Sequence, residues 1–344
     1  MKKSTVAIIV CACLFVFGAV LAFGGWLMGG ATNVYWSNGQ INMTGGWNDH
    51  GNPDDRLRDS KTLEEFDRVY IGVTSEDVIL IESDHFAVEY DISAQRHIKE
   101  CGVKNGEFRF TFASQISFGF NLGWNLAGNS YVKLYYPKGT EFENINLGTV
   151  SGDIEANGVV SSGKLELSTT SGDMRVNSAK VKEIDAGSTS GKFLAEYLEA
   201  GEVDVTTTSG SVEISQGEFE TVKLGTTSGR LTLSGCEADS VKFNSTSGDF
   251  RGSGTIRDGL RGSTVSGGVS FEGALTGKTN VSTTSGKVQL TTSAPQDEFE
   301  YSLDSVSGTR RVNGMKSDEG KGANAKHRIE ASTVSGSITL EFGK

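Results

Sequence analysis

The chain has 344 residues, a net charge of −11, 45 glycines and only 3 prolines. An acidic chain of this kind has no basic stripe, which excludes nucleic acid as the expected partner. Hydrophobic content is low at 36%, but Val, Ile and Thr alternate over long stretches. The pattern therefore reads as short strands joined by tight corners rather than as disorder.

Lys2 and Lys3 precede an apolar run over residues 6–28, and no charge follows until Asp49. Twenty-three helical residues span about 34 Å, enough to cross a hydrocarbon core of about 30 Å. We therefore expect a short cytoplasmic end (1–4), one transmembrane helix over 5–30, and the rest of the chain outside the cytoplasm. Cleavage after Ala22 or Ala31, or lipidation at Cys13, are the alternatives. Residues 31–60 lack a period and read as a flexible linker. Asp49, His50, Asp54 and Asp55 within it lack the spacing of a cation loop, so no metal is expected. Cys101 and Cys236 are isolated, no Cys-x-x-Cys occurs, and a bridge between them is not required by anything in the spacing. No cofactor is expected.

Residues 61–144 read as a β-rich cap. Val69, Ile71 and Val73 alternate, and Val78 and Leu80 resume after a turn. In that turn Ser75 stands where later turns have serine, and Glu76 where they have glycine, a degenerate first rung. Phe108, Phe110 and Phe112, then Val132 and Leu134, continue the alternation. Between them an uncharged stretch carries Phe118, Phe120 and Trp124. It reads first as packed cap and second as an exposed apolar hairpin for a membrane or partner.

From residue 145 to 344 a corner of the type Thr-x-Ser-Gly recurs. Its serine–glycine pairs are Ser151–Gly152, Ser171–Gly172, Ser190–Gly191, Ser209–Gly210, Ser228–Gly229, Ser247–Gly248, Ser266–Gly267, Ser285–Gly286, Ser307–Gly308 and Ser335–Gly336. Six successive steps, from Ser171 to Ser285, are 19 residues each. A fixed period in this range marks a repeat architecture. Counting the first corner residue as one, position six reads Ile154, Met174, Phe193, Val212, Leu231, Phe250, Val269 and Val288. Position eight reads Ala156, Val176, Ala195, Ile214 and Leu233 before Gly252. Residues two apart share a face, so these columns face one interior. The expected fold is all-β: a parallel, right-handed β-solenoid of about 19 residues per rung, with an amino-terminal β cap and one transmembrane helix.

A serine repeated ten times is a structural device, since a nucleophile is needed once, beside a base. We expect Gly to supply the freedom of a sharp corner and Ser to turn inward and bond the backbone. Asp153 and Asp173 stack on adjacent rungs, about 5 Å apart, the separation of a retaining glycosidase pair. A carbohydrate-active β-helix is therefore the enzyme alternative, although Lys192 next in the column suits a solvated face better. The threonine-rich edge also raises an ice-binding alternative, disfavoured because these threonines sit at a bend. Residues 309–332 break the period and carry Arg310, Arg311, Lys326 and Arg328; they read first as a solvated loop and second as a basic loop suited to anionic wall polymer or lipid headgroups. The last strand, 337–342, is expected to leave an open edge blunted by Glu341 and Lys344.

The repeated corners, the entry strand NINLGTVSGDI and the amino-terminal apolar run together resemble a bacterial family of β-strand repeats labelled putative adhesin, a domain of unknown function. The resemblance covers about residues 65–344. It implies a cell-envelope setting with some relatives in envelope-stress responses, envelope polymers or surface proteins as partners, and no catalytic positions. Glu76, Arg310 and the two long carboxy-terminal spacings depart from the pattern.

Overall fold

The computed structural model describes residues 33–37, 40–44, 56–94, 96–113 and 130–343. The expected transmembrane segment, most of the linker including Asp49, His50, Asp54 and Asp55, and the aromatic stretch with Phe118, Phe120 and Trp124 lie outside the described residues. Two compact units are distinguished. The first contains an antiparallel hairpin, Asn33–Ser37 with Gln40–Thr44, inside the stretch read as linker. The second holds the repeats.

In the second unit each coil has a long strand, the Ser-Gly corner and a short strand. Lys180–Ser188, for example, leads through the corner at Ser190 into Phe193–Glu196. Every strand of one coil pairs in parallel with the same strand of the next, so Ile184, Val203, Val222 and Val241 stand in register. The columns at positions six and eight are likewise in register, from Ile154 opposite Met174 through to Leu290 opposite Leu340. The long strands break their pairing near the start, as in the register shift between Ser161 and Lys164, and this adds a third inward column: Phe142, Ser161, Val181, Ala200, Phe219 and Ala238. No single coil can bury such a face; stacking closes it from above and below. Sizes compensate between neighbouring coils. Phe243 and Phe250 stack at 4.2 Å, and Gly262 leaves the space that Phe243 fills.

The two bends of a coil obey different rules. Between short and long strand the chain turns through a left-handed residue: Gly158, Ser178, Tyr197, Gln216 and Gly235, with φ of 72°, 55°, 55°, 57° and 62°. At the Ser-Gly corner no glycine has a positive φ. What requires glycine there is proximity. A Cβ at any of the ten would lie 1.6–2.0 Å from a carbonyl oxygen of the neighbouring coil, for nine of them that of its own corner glycine. The expectation of a strained glycine corner is replaced by one of closely stacked backbones.

The expected architecture needs three corrections. The fold class is corrected to all-β: the described residues hold strands and one 3-10 turn, Gln296–Glu298, and no helix among them is long and apolar enough to cross a membrane. Apart from the hairpin of Asn33–Ser37 and Gln40–Thr44, the described strands form one 28-stranded sheet that does not close on itself. Stacking order also departs from chain order at both ends. The coil of Arg68–Gly72 and Asp77–Ser83 lies between that of Glu141–Gly148 and Ile154–Asn157 and that of Glu107–Phe112 and Tyr131–Pro137. At the other end His327–Thr333 and Ile338–Gly343 slot between the coil of Lys278–Thr283 and Val288–Pro295 and the coil of Phe299–Ser305 and Arg310–Val312. The open edge expected at 337–342 is therefore absent; that strand is paired on both sides.

Both outermost coils are covered by antiparallel strands. Ala87–Ser93 and Ile98–Lys104 pair with one, and Met315–Lys316 and Glu319–Lys321 with the other. The insertion at 309–332 thus blunts an edge that would otherwise offer free N–H and C=O groups.

Candidate interaction surfaces

The Ser-Gly corner builds a polar spine and an outward ridge. The spine comes from the first corner residue, two positions before the serine. Thr226 is buried, and its Oγ1 accepts the N–H of Gly229 at 2.9 Å. Thr169, Ser188, Thr207, Ser245, Thr264 and Thr283 repeat the bond at 2.7–3.1 Å. The Thr283 hydroxyl also donates to the Gly267 carbonyl of the adjoining coil at 2.9 Å, and Ser305 to that of Gly336. The corner serines, expected to turn inward, are all exposed. In the degenerate rung the Glu76 carboxylate accepts the N–H groups of Thr74 and Ser75.

The outward ridge pairs each corner serine with the residue before it. In stacking order these are Val150, Thr170, Thr189, Thr208, Thr227, Thr246, Val265, Thr284, Val334 and Val306, every one exposed. The ridge carries no charge in any of ten coils. Its backbone is tied from coil to coil, as where Ser228 donates to the Thr208 carbonyl.

Beside the ridge, Asp153 and Asp173 do stack, and all four carboxylate oxygens are engaged. Asp153 accepts the N–H of Asp173 at 2.8 Å, and Asp173 that of Lys192 at 3.0 Å. Arg175 spans the remaining oxygens at 3.0 Å each, which raises its own pKa, Asp153 contributing most. An arginine clamped between two carboxylates stabilises the stack and occupies the oxygens that a catalytic carboxylate pair would turn to substrate.

The charged faces are mostly self-neutralised. Lys164 bridges Asp185 and Glu183, and this holds its ammonium well above the usual lysine range. Asp204 is pushed up by burial. Lys180 meets Glu199, Arg257 meets Glu237 and Asp239, and Lys223 meets Glu202. The basic insertion is neutralised in part. Arg310 pairs with Asp318 at 2.8 Å, Lys326 with Glu298 at 3.2 Å and Arg328 with Glu330 at 2.7 Å, while Arg311 is exposed on the outermost coil. These four residues do not converge on one site.

Sequence reading missed a different group. Lys242, Arg261 and Lys278 line an open groove of about 460 Å³ on the outer face, with Asn244, Ser263, Asn280 and Ser282. Lys242 and Arg261 stand directly opposite each other in adjacent coils. The signal was present: Asp185, Asp204, Lys223, Lys242 and Arg261 follow at steps of 19, a column that changes sign half-way along.

The Toastrack DUF4097 family profile matches residues 66–274 and 194–341. The chain belongs to this family. Curated protein sequences include no match. Among solved structures, a putative adhesin from Parabacteroides distasonis is similar at 16% identity and a TM-score of 0.45, covering 68% of this chain and 96% of that one. A putative adhesin from Parabacteroides merdae shares 13% identity at 0.42, covering 69% and 96%. One from Bacteroides fragilis shares 10% at 0.38, covering 83% and 97%.

Proposed function

We propose that this Toastrack chain is a non-catalytic, adhesin-like binding module of the cell envelope, displayed outside the cytoplasm. The observation that carries this is the ridge. One uncharged Val/Thr–Ser pair per coil, repeated in register ten times, suits a partner that itself repeats, whereas chemistry needs a single dissimilar constellation. The uncharged run at 6–28 behind Lys2 and Lys3 supports the outward placement. The engaged oxygens of Asp153 and Asp173 count against the glycosidase alternative.

The test is retention of tagged full-length protein on intact cells, with Thr208→Lys, Thr227→Lys and Thr246→Lys combined on the ridge. We expect a loss of at least tenfold; unchanged retention would remove the ridge as the binding surface. Protease added to intact cells should digest residues 145–344, and full protection would refute the outward placement.

A further inference from the structure

In the groove of Lys242, Arg261 and Lys278, cations on adjoining coils come together with no salt bridge to a carboxylate. Lys242 lies opposite Arg261, and Gly259 of the Arg261 coil abuts Lys278. The flanking cations are engaged: Lys223 with Glu202 on one side, Arg328 with Glu330 on the other. Lys192 stands singly between Asp173 and Ser211 and Arg230 between Ser211 and Asp249, while Arg311 opposite Lys316 is an unbridged pair of the edge strands rather than of two stacked coils. Like charges opposite each other in a sheet destabilise it. On a chain of net charge −11, such a cluster is either an uncompensated cost or a site that an anion completes.

We propose that this groove binds one strand of a phosphate-bearing linear polymer, with one anionic group per coil. Coils lie about 4.8 Å apart, so Lys242 and Arg261 set two positive centres in line at polymer-scale spacing, and Lys278, two residues along the next coil from Asn280, sets a third to one side. The Arg261 guanidinium offers the planar fork that grips two oxygens of a phosphate, and the lysines act as point charges on either side. Asn244 and Ser263 add polar groups in the same groove, already in contact with each other at 3.3 Å. Glu330, held by Arg328 and by the Asn280 amide at 2.8 Å, ends the positive stretch. That boundary limits the site to a short run of anions. A lipid bilayer fits less well: the groove is lined by amides and hydroxyls, and the acidic remainder of the chain would be repelled by an anionic membrane surface.

This inference rests on the envelope-binding reading above, and it is tested apart from it. Full-length chain in non-ionic detergent is titrated with fluorescent linear polyphosphate, alongside the triple variant Lys242→Ala, Arg261→Ala, Lys278→Ala. A second triple, Lys192→Ala, Arg230→Ala, Lys287→Ala, makes the same change in net charge elsewhere. Wild type should bind with log K falling against log salt at a slope of about −2, three contacts at roughly 0.7 each. The groove triple should bind at least tenfold more weakly and the distant triple within twofold of wild type. Polyphosphate should raise the thermal midpoint of wild type and leave that of the groove triple unmoved, a readout that a misfolded variant cannot imitate. No binding by wild type, or equal losses in both triples, overturns the proposal. Tighter binding of polyglutamate or of phosphatidylglycerol vesicles overturns the assignment to a phosphate polymer. If the groove triple loses polyphosphate but keeps its grip on intact cells, the groove stands and the ridge carries adhesion; if it keeps both, only the groove proposal falls.

Discussion

Gly229→Ala is the sharpest test of the close-stacking account of the corner. The added Cβ would lie 1.7 Å from the Gly210 carbonyl oxygen and 2.5 Å from its carbon. Carbon and oxygen approach to about 3.3 Å at best, so the two backbones must part by about 1.6 Å. That displacement breaks or stretches the Ser228 N–H bond to the Thr208 carbonyl at 3.0 Å and strains the Gly229 N–H bond to Thr226. Two hydrogen bonds at about 1 kcal/mol each, with about 1–3 kcal/mol for overpacking, predict a loss of about 3–5 kcal/mol. Because each coil touches only its neighbours, the damage falls on one interface and can split the stack into two cooperative blocks. Chemical denaturation followed by circular dichroism reads both effects. Gly187→Ala is the control, since nothing lies within 4 Å of its Cβ; it should be neutral or stabilising by about 0.4–1 kcal/mol. If the two variants unfold within 1 kcal/mol of each other, taken as roughly the error of such a comparison, the close-stacking account is wrong.

Thr226→Val should cost about 1–3 kcal/mol by leaving the Gly229 N–H without its acceptor, while Thr226→Ser, the residue used at Ser188 and Ser245, should be tolerated in the same denaturation assay. Cys236 is buried in the core and its thiol is pushed up by burial. In a Cys11→Ser, Cys13→Ser, Cys101→Ser background it should react with a thiol reagent only as fast as the chain opens, and rapid labelling of folded protein would contradict its placement. His327 is held below its ordinary pKa, chiefly by burial and then by Lys326 against the pull of Glu298, and its Nδ1 accepts the Gly277 N–H at 3.1 Å. The unfolded chain therefore binds the proton more readily, so His327 favours the fold above an unfolded pKa of about 6.5 and loses stability as pH falls below it. Thermal midpoints from pH 7.5 to 5 should fall for this reason, and His327→Gln should flatten the slope; an unchanged slope would contradict the assignment.

The interior was legible because two periods agree: a 19-residue repeat and strand alternation together place Ile184 over Val203 and Phe193 over Val212. The stacking order was not, because a repeat tells which residues make a coil and not which coil lies beside it. A long insertion lets the chain step past a neighbour and return, here through the left-handed turn at Asn313 and Gly314. The second bend was hidden for another reason. Ser178, Tyr197 and Gln216 hold a left-handed backbone without glycine, and only Gly158 and Gly235 at equivalent places betray it. The corner serine was misread because its conservation of type from rung to rung looked inward, when the buried hydroxyl belongs to the residue two before it.

The doubled pairing of Ile338–Gly343 bears on how the array responds to force. A coil at the end of a simple stack peels away one hydrogen bond at a time against a single neighbour. Here the last coil in the chain is held by Val288–Pro295 on one side and Arg310–Val312 on the other. Tension applied beyond residue 343 must therefore shear two ladders together before any coil can leave. A module threaded in this way withstands pulling at its carboxy-terminal side better than its small size of coil suggests, and yields as a block.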